Sequence, residues 1–86
     1  MKTLTKIAID SIAMSTLNAR AYVNLRNDVA DNRAVLLAKL NEAEGKAIMA
    51  FQLLHEMGKV DEASAVLAYF NDEVAHDFQK MLEANK

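Results

Sequence analysis

No proline occurs in this chain of 86 residues, and glycine occurs only at Gly45 and Gly58. Proline is the strongest helix breaker and glycine the next, so few positions can interrupt a helix once it starts. The residues that dominate instead, Ala, Leu, Met, Lys and Glu, lose little conformational freedom on entering a helix. No segment sustains the period-two alternation with β-branched residues that marks a strand. The expectation is an all-α protein.

Two breaks set the number of helices. Between Asn24 and Arg33, the side chains of Asn27, Asp28, Asp31 and Asn32 compete for backbone hydrogen bonds and favour caps or turns. The second break spans Met57 to Glu62, where Gly58 suits the left-handed position after a helix and Asp61 is a candidate cap for the next. Three helices follow, over about 3–27, 33–57 and 61–84, with one long helix from Thr3 to Met57 as the alternative. Short connections make neighbours antiparallel, so the predicted fold is an antiparallel three-helix, up-down-up bundle, a single domain over residues 1–86. The segment Gly58-Lys59-Val60-Asp61-Glu62-Ala63 resembles the turn between paired helices of helical-repeat proteins. No second copy accompanies it, so the resemblance implies one helical hairpin and not an array.

Each helix carries an apolar stripe at helical spacing, and the stripes are the expected core. In the first helix it is Leu4, Ile7, Met14, Ala21, Tyr22 and Leu25, with Val29 beyond. The second contributes Leu36, Leu37, Leu40, Ala43, Ala47, Ile48, Phe51 and Leu54; the third contributes Ala63, Val66, Leu67, Phe70, Val74, Phe78 and Met81. Apolar residues are left over, since Ile9, Ile12, Ala13, Ala19 and Val23 lie off the first stripe, and Val35, Met49 and Leu53 off the second. Contiguous apolar residues facing water usually mark an interaction surface. Ile9, Ile12, Val23, Val35, Met49 and Leu53 are therefore the expected interface, with a homo-oligomer, a dimer first, or another protein as the occupant. Size points the same way. A chain this short buries only about 60% of its unfolded surface. It has no cysteine for disulfides or a zinc finger, which leaves good helix packing, a partner subunit, or both.

Two constellations carry candidate chemistry. Glu73 and His76 form a Glu-x-x-His pair on the third helix, with Glu42 or Glu44 earlier in the chain. The segment from Asn41 to Glu83 resembles half of a ferritin-like di-metal bundle, which a homodimer could complete; the resemblance implies Glu44, Glu73 and His76 as ligands. The helical wheel opposes this, because Glu73 falls about 90° and His76 about 150° from the centre of the apolar stripe. No metal and no cofactor are expected. The second constellation is a polar layer. Antiparallel pairing puts Ser15 and Asn18 level with Glu44 and Asn41, and Asp77 opposite Asn41. Ser15, Asn18, Glu44 and Asp77 would then hold a small ligand, or Asn18 would fix register as a buried asparagine does in a coiled coil. The competing reading has Glu44 and Asp77 at the stripe edge, reaching solvent. His55 lies about 16 Å along the helix from Glu44, too far for a dyad. A Gly-rich phosphate loop, Gly-x-Ser-x-Gly and His-Glu-x-x-His are all missing, so no catalytic residues are expected.

Ten basic residues are scattered singly among twelve acids, for a net charge of −2. Nucleic-acid binding needs clustered Lys and Arg and is not expected. No window approaches the ~18 apolar residues of a membrane span, so no membrane is expected either. Lys2 and Lys6 precede an apolar stretch, and Ala19-Arg20-Ala21 loosely resembles a leader cleavage site, but Asp10, Ser11, Ser15 and Thr16 interrupt the stretch. A cytoplasmic location is expected. The functional expectation is a non-enzymatic protein–protein interaction module acting through apolar helix faces, such as a small regulator or inhibitor of the kind a virus or mobile element encodes.

Overall fold

The computed structural model describes residues 3–85; Lys2, part of the leader-like pattern, lies outside them. The described residues form α1 (Leu4–Asn24), α2 (Val29–Glu56), α3 (Val60–Tyr69) and α4 (Ala75–Ala84), with no strand among them. A π turn over Phe70–Val74 joins α3 to α4 in one rod, so the molecule is a bundle of three helical rods.

Local chemistry accounts for the ends. The Thr3 hydroxyl accepts from the Lys6 N–H at 3.2 Å and caps α1. The Asp28 carboxylate accepts from the Asp31 N–H at 3.0 Å, so α2 begins at Val29, four residues before the expected start, and the continuous-helix alternative fails. After α2 the chain closes a Schellman motif: Gly58 N–H donates to the His55 carbonyl at 3.0 Å and Lys59 N–H to that of Leu54 at 2.8 Å. Gly58 sits at φ 77°, where a side chain is strained. Asp61 is not the next cap. The helix starts at Val60, and Asp61 and Glu62 lie in its first turn, beside the positive end of the helix dipole.

The third rod buries Ala63, Val66, Phe70, Val74 and Phe78. Steps of four residues in an ideal α-helix rotate the side chain by about 40° each, which would carry Phe78 off the face set by Phe70. The wider π turn offsets that drift and keeps all three inward.

The first rod reverses the expected orientation. Leu4, Ile7, Met14 and Leu25 are exposed, as are Ala21 and Val29, while Ile12, Ser15, Thr16 and Ala19 are buried. Ala8, Ile9 and Val23 pack partly buried against the same core. On α2, Leu36, Ala43, Ala47 and Leu54 are buried as expected, but Leu37 and Ile48 face out. The reason is size. The inward side of α1 presents Ala8, Ser15 and Ala19, and the inward side of α2 presents Ala43, Ala47 and Ala50. Small residues on both sides favour a close approach of the two helices, with Ile12 the one large side chain of α1 fully buried among them.

The result is flat and long, with extents of 45 × 22 × 15 Å. Its radius of gyration is 13.9 Å, against about 12 Å for a typical domain of this length. A chain of this size and elongated shape leaves the outer side of every rod at the surface.

Candidate interaction face

Turning Ile12, Ser15 and Ala19 of α1 inward leaves several large apolar side chains outside. Leu4, Ile7, Met14, Leu17 and Leu25 are all exposed, Leu25 at 86%. Beside the N-terminal half of this stripe, Met49 and Leu53 of α2 are also exposed. A groove of about 200 Å³ runs between the two helices there, floored by Ala8 and Ala50 and walled by Leu4, Met49 and Leu53, with Ser11 and Lys46 at its edge. One ion pair borders the stripe: Asp10, 3.0 Å from Lys6, stands three residues after Ile7 and four before Met14.

Of the six residues expected to form the interface, Met49 and Leu53 are exposed on this face. Ile12 is completely buried, and Ile9, Val23 and Val35 are half-buried, the first two against the core. That assignment is corrected for Ile12, Ile9 and Val23, which traded places with the stripe expected inside. The sequence reading missed Leu17 and assigned Leu4, Ile7, Met14 and Leu25 to the core. Leu4, Ile7, Met14 and Leu25 do fall on one row of alternating three- and four-residue steps, completed by Ser11, Asn18 and Ala21, with Leu17 beside it.

The polar layer also differs in membership. Ser15 is buried, and its hydroxyl donates to the Glu42 carboxylate at 2.8 Å. Lys46 donates to the Ser15 hydroxyl and to the Ser11 carbonyl, each at 3.1 Å, and Lys39 approaches Glu42 at 3.5 Å. The Ser15 hydrogen bond, chiefly, holds the Glu42 carboxyl below its usual range. Glu44 and Asn18 are exposed, so neither belongs to this cluster. Asp77 sits half-buried at the opposite flank of α1, 3.7 Å from Arg20. The error has a plain origin. With the face of α1 rotated, the α2 residues that meet Ser15 are Glu42 and Lys46, one helical turn apart, and not Glu44. Ser15 is fully engaged by the chain itself, so the cluster fastens α1 to α2.

Two further fastenings were not foreseen. At the α1–α2 corner the Tyr22 hydroxyl donates to Asp31, which raises its pKa above the ordinary value, and the Arg26 guanidinium lies 4.7 Å from the centre of the Tyr22 ring. These groups rim an open hollow of about 460 Å³ with Asn27 and Asp28. At the far end of the chain, Arg33 donates to the Leu82 carbonyl at 3.0 Å, and the buried Asn32 amide donates to the Asn85 side chain at 3.0 Å. A cation and an amide from the start of α2 thus satisfy groups at the carboxyl end of α4.

Glu73 and His76 are exposed on the outer side of the third rod, and no cluster of three His, Cys, Asp or Glu suited to a metal exists among the described residues. His55 is exposed, with its ring 5.7 Å from that of Phe51. Among the described residues no helix is long and apolar enough to cross a membrane.

No protein-family model matches the chain, and no curated protein or solved structure matches it significantly.

Proposed function

We propose that the protein is a non-enzymatic helical interaction module that docks through the outer face of α1. The observation that carries this reading is the exposure of Leu4, Ile7 and Met14 of that helix and of Leu25 at its carboxyl cap, four large apolar side chains outside the buried core. Leaving them in water forgoes roughly 1 kcal/mol or more of burial for each, and a contiguous patch of this kind ordinarily belongs to a contact. In this reading the three rods run up, down and up. That order is supported by the bonds from Thr5 to Glu62, Ser15 to Glu42 and Arg33 to Leu82. The rods act as a rigid mount, in the cytoplasm, and the polar cluster around Ser15 sets the rotation of α1 that presents the face. A buried, paired Ser15 with Glu42 at the rim fixes orientation, because turning α1 over would strand those groups.

The test is solvent access to the methyl groups in the chain diluted until monomeric, read by NMR with a soluble paramagnetic agent. Ile7, Met14 and Leu25 should broaden strongly while Ile12 stays sharp. Protection of all four would remove the docking face, and the function with it.

A further inference from the structure

We infer that the occupant of this face is a second copy of the same chain, its α1 lying antiparallel across the first, so that Leu25 of each copy fills the groove of the other. The inference rests on the docking reading above and adds the partner and the geometry.

The spacing of the face comes first. Leu4, Ile7, Ser11, Met14, Asn18, Ala21 and Leu25 recur at alternating steps of three and four, three heptads of a helix–helix seam. Such a seam fits another helix with the same repeat, and α1 itself supplies one. Its area is adequate as well. The exposed parts of the large apolar residues from Leu4 to Leu25, with Met49 and Leu53, amount to roughly four whole side chains, on the order of 700 Å². A stable interface buries about 800 Å² per partner and a crystal-packing contact typically less than half of that.

Direction follows from the two ends of the seam. At the carboxyl end stands Leu25, 86% exposed, and at the amino end lies the groove walled by Leu4, Met49 and Leu53. Knob and groove are separated by about 27 Å along the helix axis. An antiparallel partner that sets Leu25 level with Ile7 places a knob over each groove through one twofold axis, a closed and self-complementary contact. In the same register the two seam positions alternate across the pair, Met14 beside Asn18 and Ser11 beside Ala21. The Asn18 amide then comes within one helical turn of Ser11 of the second copy, so both polar seam residues gain a partner. A parallel pair would set Leu25 against Leu25 and leave both grooves open to water.

The chain has no cysteine, so introduced thiols report the geometry directly. Sedimentation equilibrium at about 100 µM should give twice the 9.5 kDa of one chain. Leu25→Asp, with Met14→Lys as an independent second variant, should weaken association at least tenfold at unchanged helix content. Under oxidation the double variant Ile7→Cys, Leu25→Cys should cross-link between chains, and the single variant Leu25→Cys should not. Cross-linking by the single variant overturns the antiparallel arrangement, and a chain that remains at 9.5 kDa overturns self-pairing. In the second case maleimide labelling of Leu25→Cys separates the two readings. Fast labelling removes only the second copy as occupant, whereas a protected thiol removes the docking face too.

Discussion

The two faces of α1 have exchanged the roles their side chains suggest. The buried face carries Ile12, Ser15, Thr16 and Ala19, of which two are polar and one is small. The exposed face carries Leu4, Ile7, Met14, Leu17 and Leu25. What the difference teaches is that fit to the neighbouring helix, not hydrophobicity alone, decided which face went inside. The inner face meets an alanine-lined strip of α2 and closes hydrogen bonds through Ser15; the outer face stays half or more open to water at Ile7, Met14, Leu17 and Leu25.

Truncation breaks the comparison most sharply. Ile12→Ala removes a fully buried side chain and should cost about 3 kcal/mol in chemical denaturation. Met14→Ala, two residues away but half-exposed, should cost under about 0.5 kcal/mol at concentrations where the chain is monomeric. Equal costs would mean that the faces had been misassigned.

Enlargement probes the fit itself. Ala19→Met should overpack the close contact and lose about 2 kcal/mol, while Ala21→Met on the exposed face should be tolerated to within about 0.5 kcal/mol.

Two smaller effects sharpen the account of the polar inner face. The Thr16 hydroxyl is buried without a hydrogen-bond partner, so Thr16→Val should raise stability by about 1 kcal/mol in the same denaturation assay. Ser15→Ala should cost about 1 kcal/mol and move the Glu42 titration, followed by NMR, up toward the ordinary carboxylate value. The sign of the pH dependence follows from the depressed pKa. Glu42 stabilises the fold above the ordinary carboxylate range, and that contribution is lost as pH falls through its lowered folded value. Because Glu42 is 43% exposed, the effect should be small, and Glu42→Gln should abolish it.

Much of the architecture was legible along the chain. The helical class, the three rods, the left-handed Gly58 and the buried stripe of the third rod all follow from propensity, turn chemistry and period. The first rod was misread because its periodicity supports two faces at once. Apolar residues at helical spacing selected Leu4, Ile7, Met14, Ala21, Tyr22 and Leu25, although Ala8, Ile12, Ser15 and Ala19 form an equally regular row. The misplaced Glu44 followed from the same rotation, as did the missed partners Glu42 and Lys46.

By itself, then, the sequence determined that the chain is helical and roughly where it breaks into three rods, because caps, glycine conformation and propensity act over a few neighbouring residues. Only the tertiary structure decided which way α1 turns, and so which of its residues remain available to a partner. That choice depends on matched small surfaces of α1 and α2, brought together from positions some thirty residues apart, as Ser15 and Glu42 are. No local preference encodes such a match, since it exists only once both helices are in place.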